Sequence, residues 1–154
     1  MIILGAASLL LFSYKGYERC DDILNTITGF AGLGICLFPM ANGVYEYIGT
    51  FQILASVSNV IHLVSAVVFF VLLSINSLFL FTKSSGDMTK RKRIRNIIFI
   101  ICGIGMLCAF ALLLVPPFPC RTWWIEAIAL FFFGISWLTK ANYYPWLFAD
   151  PKGE

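Results

Sequence analysis

The chain has 154 residues, of which 60% are apolar and only 12% charged, about half the charge of an ordinary soluble domain. That balance excludes a water-soluble globule, and fifteen Phe, four Trp and six Tyr exclude a disordered or low-complexity polymer. The net charge of +3 does not argue for nucleic acid, because six of the eleven basic residues crowd between Lys83 and Arg95, where they read as a topology signal.

A membrane-spanning helix needs about 20 mostly apolar residues. The first apolar segment, over 1–14, is about two-thirds of that length. A signal peptide carries its basic residues before the apolar run; here they follow it, in "YKGYERCDD", so the segment is expected to stay as a helix. The second, over 23–42, starts after Asp21 and Asp22, which suit the amides and dipole of a helix N-terminus, a role favoured over a cation or headgroup contact. Pro39 is expected to kink or cap its outer end. The third covers 54–82 and contains the only histidine, His62. The fourth covers 95–116 and is stopped by Pro116, Pro117 and Pro119; the fifth covers 122–139.

The expected fold is therefore all-α, a polytopic bundle of five transmembrane helices in a single domain, with short connections making neighbours antiparallel. Lys15, Arg19, the six residues of "KSSGDMTKRKRIR", Lys140 and Lys152 fall on one side and Arg121 alone on the other. Ten against one places the N-terminus outside and the C-terminus in the cytoplasm. Trp123 and Trp124 then mark the outer boundary, and Trp137, Tyr143, Tyr144 and Trp146 the inner one. An outside N-terminus followed by a short helix is natural for a chain with a further helix upstream, so a sixth is expected in a longer parent.

The glycines of "TGFAGLG", and Gly103 with Gly105, are read as close-packing positions, since "GFAGLG" follows no strand and opens no dinucleotide site. Cys36, Cys102 and Cys108 lie in apolar runs as small hydrophobes. No CxxC or Cys/His cluster suggests a metal, and no cofactor is expected.

The segments "LFSYKGYERCDDILNTITGFAGLGICLFP", "HLVSAVVFFVLLSINSLFLFTKS", "RKRIRNIIFIICGI" and "WIEAIALFFFGISWL" resemble a family of uncharacterised bacterial multi-pass membrane proteins over nearly the whole chain. The order "GLGICLFP…H…A…FF" is also similar, over two helices, to the DRAM and Sfk group. The resemblance implies a bacterial inner-membrane location and no particular activity. Members of the first family carry another helix before the "LFSYKGY" segment, where this chain departs from them.

Ionisable residues inside membrane spans are costly and usually face an interior or a wet cavity. His62, Glu126, Asn59, Ser65 and Glu46 are accordingly the candidates for an outer polar cluster, as ligand contacts or a proton relay. Packing through interhelical hydrogen bonds is the reading to beat, ahead of a headgroup pocket, with acid–base catalysis third. A single histidine excludes an ordinary catalytic zinc. Lys90, Arg91, Lys92, Arg93 and Arg95 are candidates for anionic lipid headgroups. The leading functional expectation is a lipid- or amphiphile-binding or regulatory membrane protein acting through that outer polar cluster, with lipid, a second copy or another membrane protein as partner and no nucleic acid. A transporter or proton-coupled channel subunit, with a polar path from His62 to Ser74 and Asn76, comes second, and an intramembrane enzyme acting on lipid third.

Overall fold

The computed structural model describes residues 2–16, 18–41, 43–83 and 89–141. Tyr143, Tyr144, Trp146 and Lys152, assigned above to the inner boundary, lie outside that set. The chain is mostly helical and divides into two compact units, Met1–Leu72 and Leu73–Glu154, with the border inside the third helix.

In the first unit, α1 (Ile2–Ser13) is the short apolar helix and α2 (Arg19–Leu37) begins at residue 19 rather than 23. The earlier start has a local cause. Glu18 and Asp21 form a capping box, in which the Glu18 amide donates to Asp21 Oδ2 at 3.2 Å. The Gly16 amide donates to Asp22 Oδ1 at 2.7 Å. Both aspartates therefore hold the helix start. Asp21, buried at 3% exposure, is the more sensitive: Asp21→Ala is expected to cost about 1 kcal/mol, read as a lowered melting temperature in detergent. An unchanged melt would refute the capping role.

α2 stops at Leu37 because Pro39 lacks an amide hydrogen and disfavours helical geometry in the residue before it. Phe38 leaves the helix at φ −116°, ψ 84°. The chain then forms a small hairpin, a departure from a purely helical fold: β1 (Tyr47–Ile48) runs antiparallel to β2 (Ile53–Leu54), with Tyr47 opposite Leu54. Gly49 turns the hairpin at φ +75° and presses on Pro39, whose Cδ would lie 3.0 Å from an added Cβ. Phe51 stacks on Phe38 with ring centroids 5.8 Å apart. The hairpin thus folds back over the exit of α2 and leads directly into α3 (Ala55–Ile75).

The three helices of this unit meet at small residues. Gly29 faces the ring of Phe12, Gly32 faces Ser8 on one side and the Phe69 ring on the other, and Gly34 faces Ser65. The Ser8 hydroxyl donates to the Leu4 carbonyl at 2.8 Å and Thr28 to Leu24 at 2.7 Å, so both buried hydroxyls are satisfied within their own helices.

The second unit takes up the end of α3, which continues as a π-helical turn over Asn76–Leu80. α4 (Lys90–Ala109) begins at residue 90 rather than 95, because Thr89 caps it by accepting from the Lys92 amide at 3.2 Å. It closes as a 3-10 turn over Phe110–Leu114, and α5 (Arg121–Lys140) follows. Gly103 meets Leu78 and the Ser74 carbonyl, while Gly105, just over half a turn further round, meets the ring of Phe132. The Ser77 hydroxyl lies 2.8 Å from the Phe99 carbonyl, to which it donates, and 2.7 Å from the Ser136 hydroxyl, joining the three helices.

Three of these elements are long and apolar enough to cross a membrane: Ala55–Leu80, Lys90–Leu112 and Arg121–Lys140. α1 is too short by itself, and α2 carries Asp21, Asp22, Asn25 and Thr26 in its first two turns. The surface of the long helices is apolar as well. Val57, Val60, Leu63, Val64 and Val67 on α3, and Ile94, Ile97, Ile100, Ile101 and Ile104 on α4, are all exposed. Continuous stripes of this kind are unfavourable against water and neutral against lipid.

Candidate functional site

The first turns of α3 carry three polar side chains, Ser58, Asn59 and His62, toward the segment that leaves α2. His62 Nδ1 lies 2.8 Å from the Phe38 carbonyl oxygen. A carbonyl only accepts, so Nδ1 carries the proton and donates. The Ser58 hydroxyl donates to the Pro39 carbonyl at 2.8 Å, and the Ala41 amide donates to Asn59 Oδ1 at 2.7 Å. His62 is 4% exposed and Ser58 fully buried. Residues 58, 59 and 62, a helical turn of α3, therefore form a clasp on the main chain of residues 38–41, satisfying groups that the end of α2 leaves open. Both the imidazole Nδ1–H and the Ser58 hydroxyl hydrogen are taken up by main-chain oxygens, which fixes their orientation toward α2.

The other candidates lie on α3, just before the hairpin, and on α5. Ser65, one turn beyond His62, is half-buried against Gly34. Glu46 is exposed in the chain entering the hairpin, and its main-chain oxygen accepts from the Ala55 amide at 2.8 Å. Glu126 is half-buried in the second turn of α5 and belongs to the second unit, whereas His62 belongs to the first. Along α3, the buried positions between His62 and Ser74 are Ala66, Phe69, Phe70 and Leu73; four apolar side chains separate the two polar stations. A shallow groove of about 300 Å³ over Ser56, Val57, Val60 and Ile61 lies on the exposed side of α3 and is almost wholly apolar. Among the described residues no group of three His, Cys, Asp or Glu comes together as for a metal, and the five cysteines are free thiols.

The opposite end of the second unit is basic. Lys90, Arg91, Lys92, Arg93 and Arg95 occupy five of the first six positions of α4, with no acidic residue in the first turn. Cations at a helix N-terminus oppose the macrodipole, so this end of α4 favours an anion. The end of α5 adds Lys140, whose Nζ stands over the Phe81 ring at 5.2 Å from its centroid. Phe81 also packs against Phe99 and Trp137.

Sequence reading passed over three of these residues. Lys140 counted only as a loop charge and Phe81 only as an apolar residue, because their pairing depends on where α3 and α5 end. Arg121 counted as the single outer cation; its Nη1 donates to the Val115 carbonyl at 3.0 Å and closes the turn after α4. Its position just after the proline-rich "PPFPC" loop was the available signal. Compared with family models, curated proteins and solved structures, the chain matches none of them, so its own residues are the guide to what it does.

Proposed function

We propose that the chain is a multi-pass membrane protein that binds anionic lipid at the basic start of α4. The observation that carries the reading is the abrupt junction there: Lys90, Arg91, Lys92, Arg93 and Arg95 lead straight into the exposed stripe Ile94, Ile97, Ile100, Ile101 and Ile104. Cations at the headgroup level above a lipid-facing helix attract anionic lipid at about 1 kcal/mol each. In this reading α1 and α2 complete a five-helix membrane bundle, the basic end of α4 lies in the cytoplasm, and the N-terminus lies outside. His62 through its Nδ1–H and Ser58 through its hydroxyl serve the end of α2, and the reading assigns the chain a binding role. The open groove on α3, lined by Val57, Val60 and Ile61 with Ser56 at its side, is almost wholly apolar and suits an acyl chain.

Native mass spectrometry of the purified full chain tests this. Phosphatidylglycerol should be retained more strongly than phosphatidylcholine of the same acyl chains. The variant carrying Lys90→Gln, Arg91→Gln, Lys92→Gln and Arg93→Gln should bring the two lipids level. Equal retention of both lipids by the unaltered protein would refute the reading.

A further inference from the structure

The hairpin between α2 and α3 lies down against the protein instead of standing off it. Its turn presses on Pro39 at Gly49, and Phe51 stacks on Phe38 with ring centroids 5.8 Å apart. Phe38 and Pro39 are themselves held by the first two turns of α3: His62 Nδ1 lies 2.8 Å from the Phe38 carbonyl oxygen and the Ser58 hydroxyl 2.8 Å from that of Pro39. Ser58 and His62 stand about 4.5 and 10.5 Å along the helix axis from Ala55, the first residue of a 26-residue apolar span. The tip of the hairpin is therefore carried alongside that span, level with its opening turns. What it turns outward there is apolar and aromatic. Val44, Tyr45, Tyr47, Phe51 and Leu54 are exposed, and Tyr47 stands opposite Leu54 across the strands. From Leu54 the exposed surface continues at spacings of three to Val57 and Val60 on α3. Between Asp22 and Lys83 the sequence has no lysine or arginine and a single carboxylate, Glu46.

We propose that this hairpin is an anchor in the lipid headgroup layer, with the rings of Tyr45, Tyr47 and Phe51 at the boundary between headgroups and acyl chains, an inference that rests on the reading of the chain as a multi-pass membrane protein. A surface carried beside the first turns of a membrane helix meets lipid before it meets water. Two features set its depth. A two-stranded ribbon has two open edges, and main-chain groups without partners are excluded from hydrocarbon. The turn itself is better satisfied, since the Gly49 carbonyl accepts from the Gln52 amide at 3.3 Å and from Gln52 Nε2 at 3.0 Å. The aromatic face acts in the other direction, because tyrosine buries its ring and keeps its hydroxyl wet. The hairpin is thus too polar along its backbone to sink and too aromatic on its face to rise. At this depth the exposed Glu46 meets headgroups, and Leu54 leads acyl chains toward the groove over Val57, Val60 and Ile61.

Electron paramagnetic resonance of the full chain in phosphatidylcholine nanodiscs tests the anchor. A nitroxide is attached through an azidophenylalanine placed at Tyr47 or, separately, at Val60, and its collisions with oxygen and with a water-soluble nickel chelate are compared. The label at Val60 should read deep in lipid. The label at Tyr47 should read level with a nitroxide on the lipid headgroup or just below it, with chelate collisions several-fold fewer than for a nitroxide in buffer. With the label moved to Leu54, Tyr45→Ser combined with Tyr47→Ser should raise chelate collisions several-fold. A Tyr47 label as open to the chelate as one in buffer, with Val60 still in lipid, would overturn the anchor and leave the membrane reading standing. Both labels open to the chelate would overturn the two readings together. Dipolar broadening between copies labelled at Tyr47 would make a second copy the covering surface and overturn lipid in that place. Collisions at Leu54 unmoved by the two serines would overturn the role of the rings.

Discussion

Gly32→Leu is expected to prevent stable folding of the first helical unit. An added Cβ at Gly32 would fall on the Ser8 hydroxyl and lie 2.8 Å from Phe69 Cε2. Neither neighbour has room to give way. Ser8 is fully buried with its hydroxyl tied to the Leu4 carbonyl, and Phe69 is fully buried edge-on to Phe70 at 5.2 Å. Overpacking a filled interior costs up to about 3 kcal/mol for a few methylenes, and leucine adds a whole branched side chain where three helices touch. Size-exclusion chromatography and thermal unfolding in detergent read the outcome. Gly32→Leu should give aggregated or low-melting protein and Gly32→Ala an intermediate melt. A leucine variant that melts with the unaltered protein would show that α1, α2 and α3 do not meet at this glycine.

The second large effect is at His62. Replacement by leucine keeps the bulk but leaves the part-buried Phe38 carbonyl, now bonded at 2.8 Å, without the donor that His62, itself 4% exposed, supplies. An acceptor stranded away from water costs about 1–3 kcal/mol. His62→Gln retains an N–H able to reach a carbonyl and should recover most of the loss. The comparison is therefore one of melting temperatures in detergent, ordered as unaltered, glutamine, then leucine. A leucine variant as stable as the unaltered protein would end the clasp account and return His62 to the list of functional groups.

The number and order of helices were legible because each apolar run is bounded by charges or prolines. Pro39 announced the end of α2, and the cations of "KRKRIR" announced one end of α4. Helix starts were misplaced for one physical reason: capping lets a helix begin among polar residues, as Glu18 does for α2 and Thr89 for α4. The hairpin escaped because its strands are only two residues each, too short for alternation to show, although Gly49 between two apolar pairs was its turn signal. His62 was singled out as a polar group in an apolar run, but its partner was sought among carboxylates and hydroxyls. The partner is a main-chain carbonyl, a group every residue carries and no side-chain pattern reveals. Lys140 over Phe81 was hidden for a related reason, since a stack built from the ends of two helices depends on tertiary geometry alone.

The unequal lengths of the long helices carry a consequence for the bilayer itself. At 1.5 Å per residue, the 20 residues of α5 extend about 30 Å, equal to an average hydrocarbon core. The 26 residues from Ala55 to Leu80 extend about 39 Å, so upright in the same membrane they overshoot its apolar slab by about 9 Å. Tilt or local thickening of the surrounding lipid absorbs such a mismatch at a modest cost for each ångström. Were these helices to span a bilayer, thick membranes would favour an upright α3 and thin ones a leaning α3.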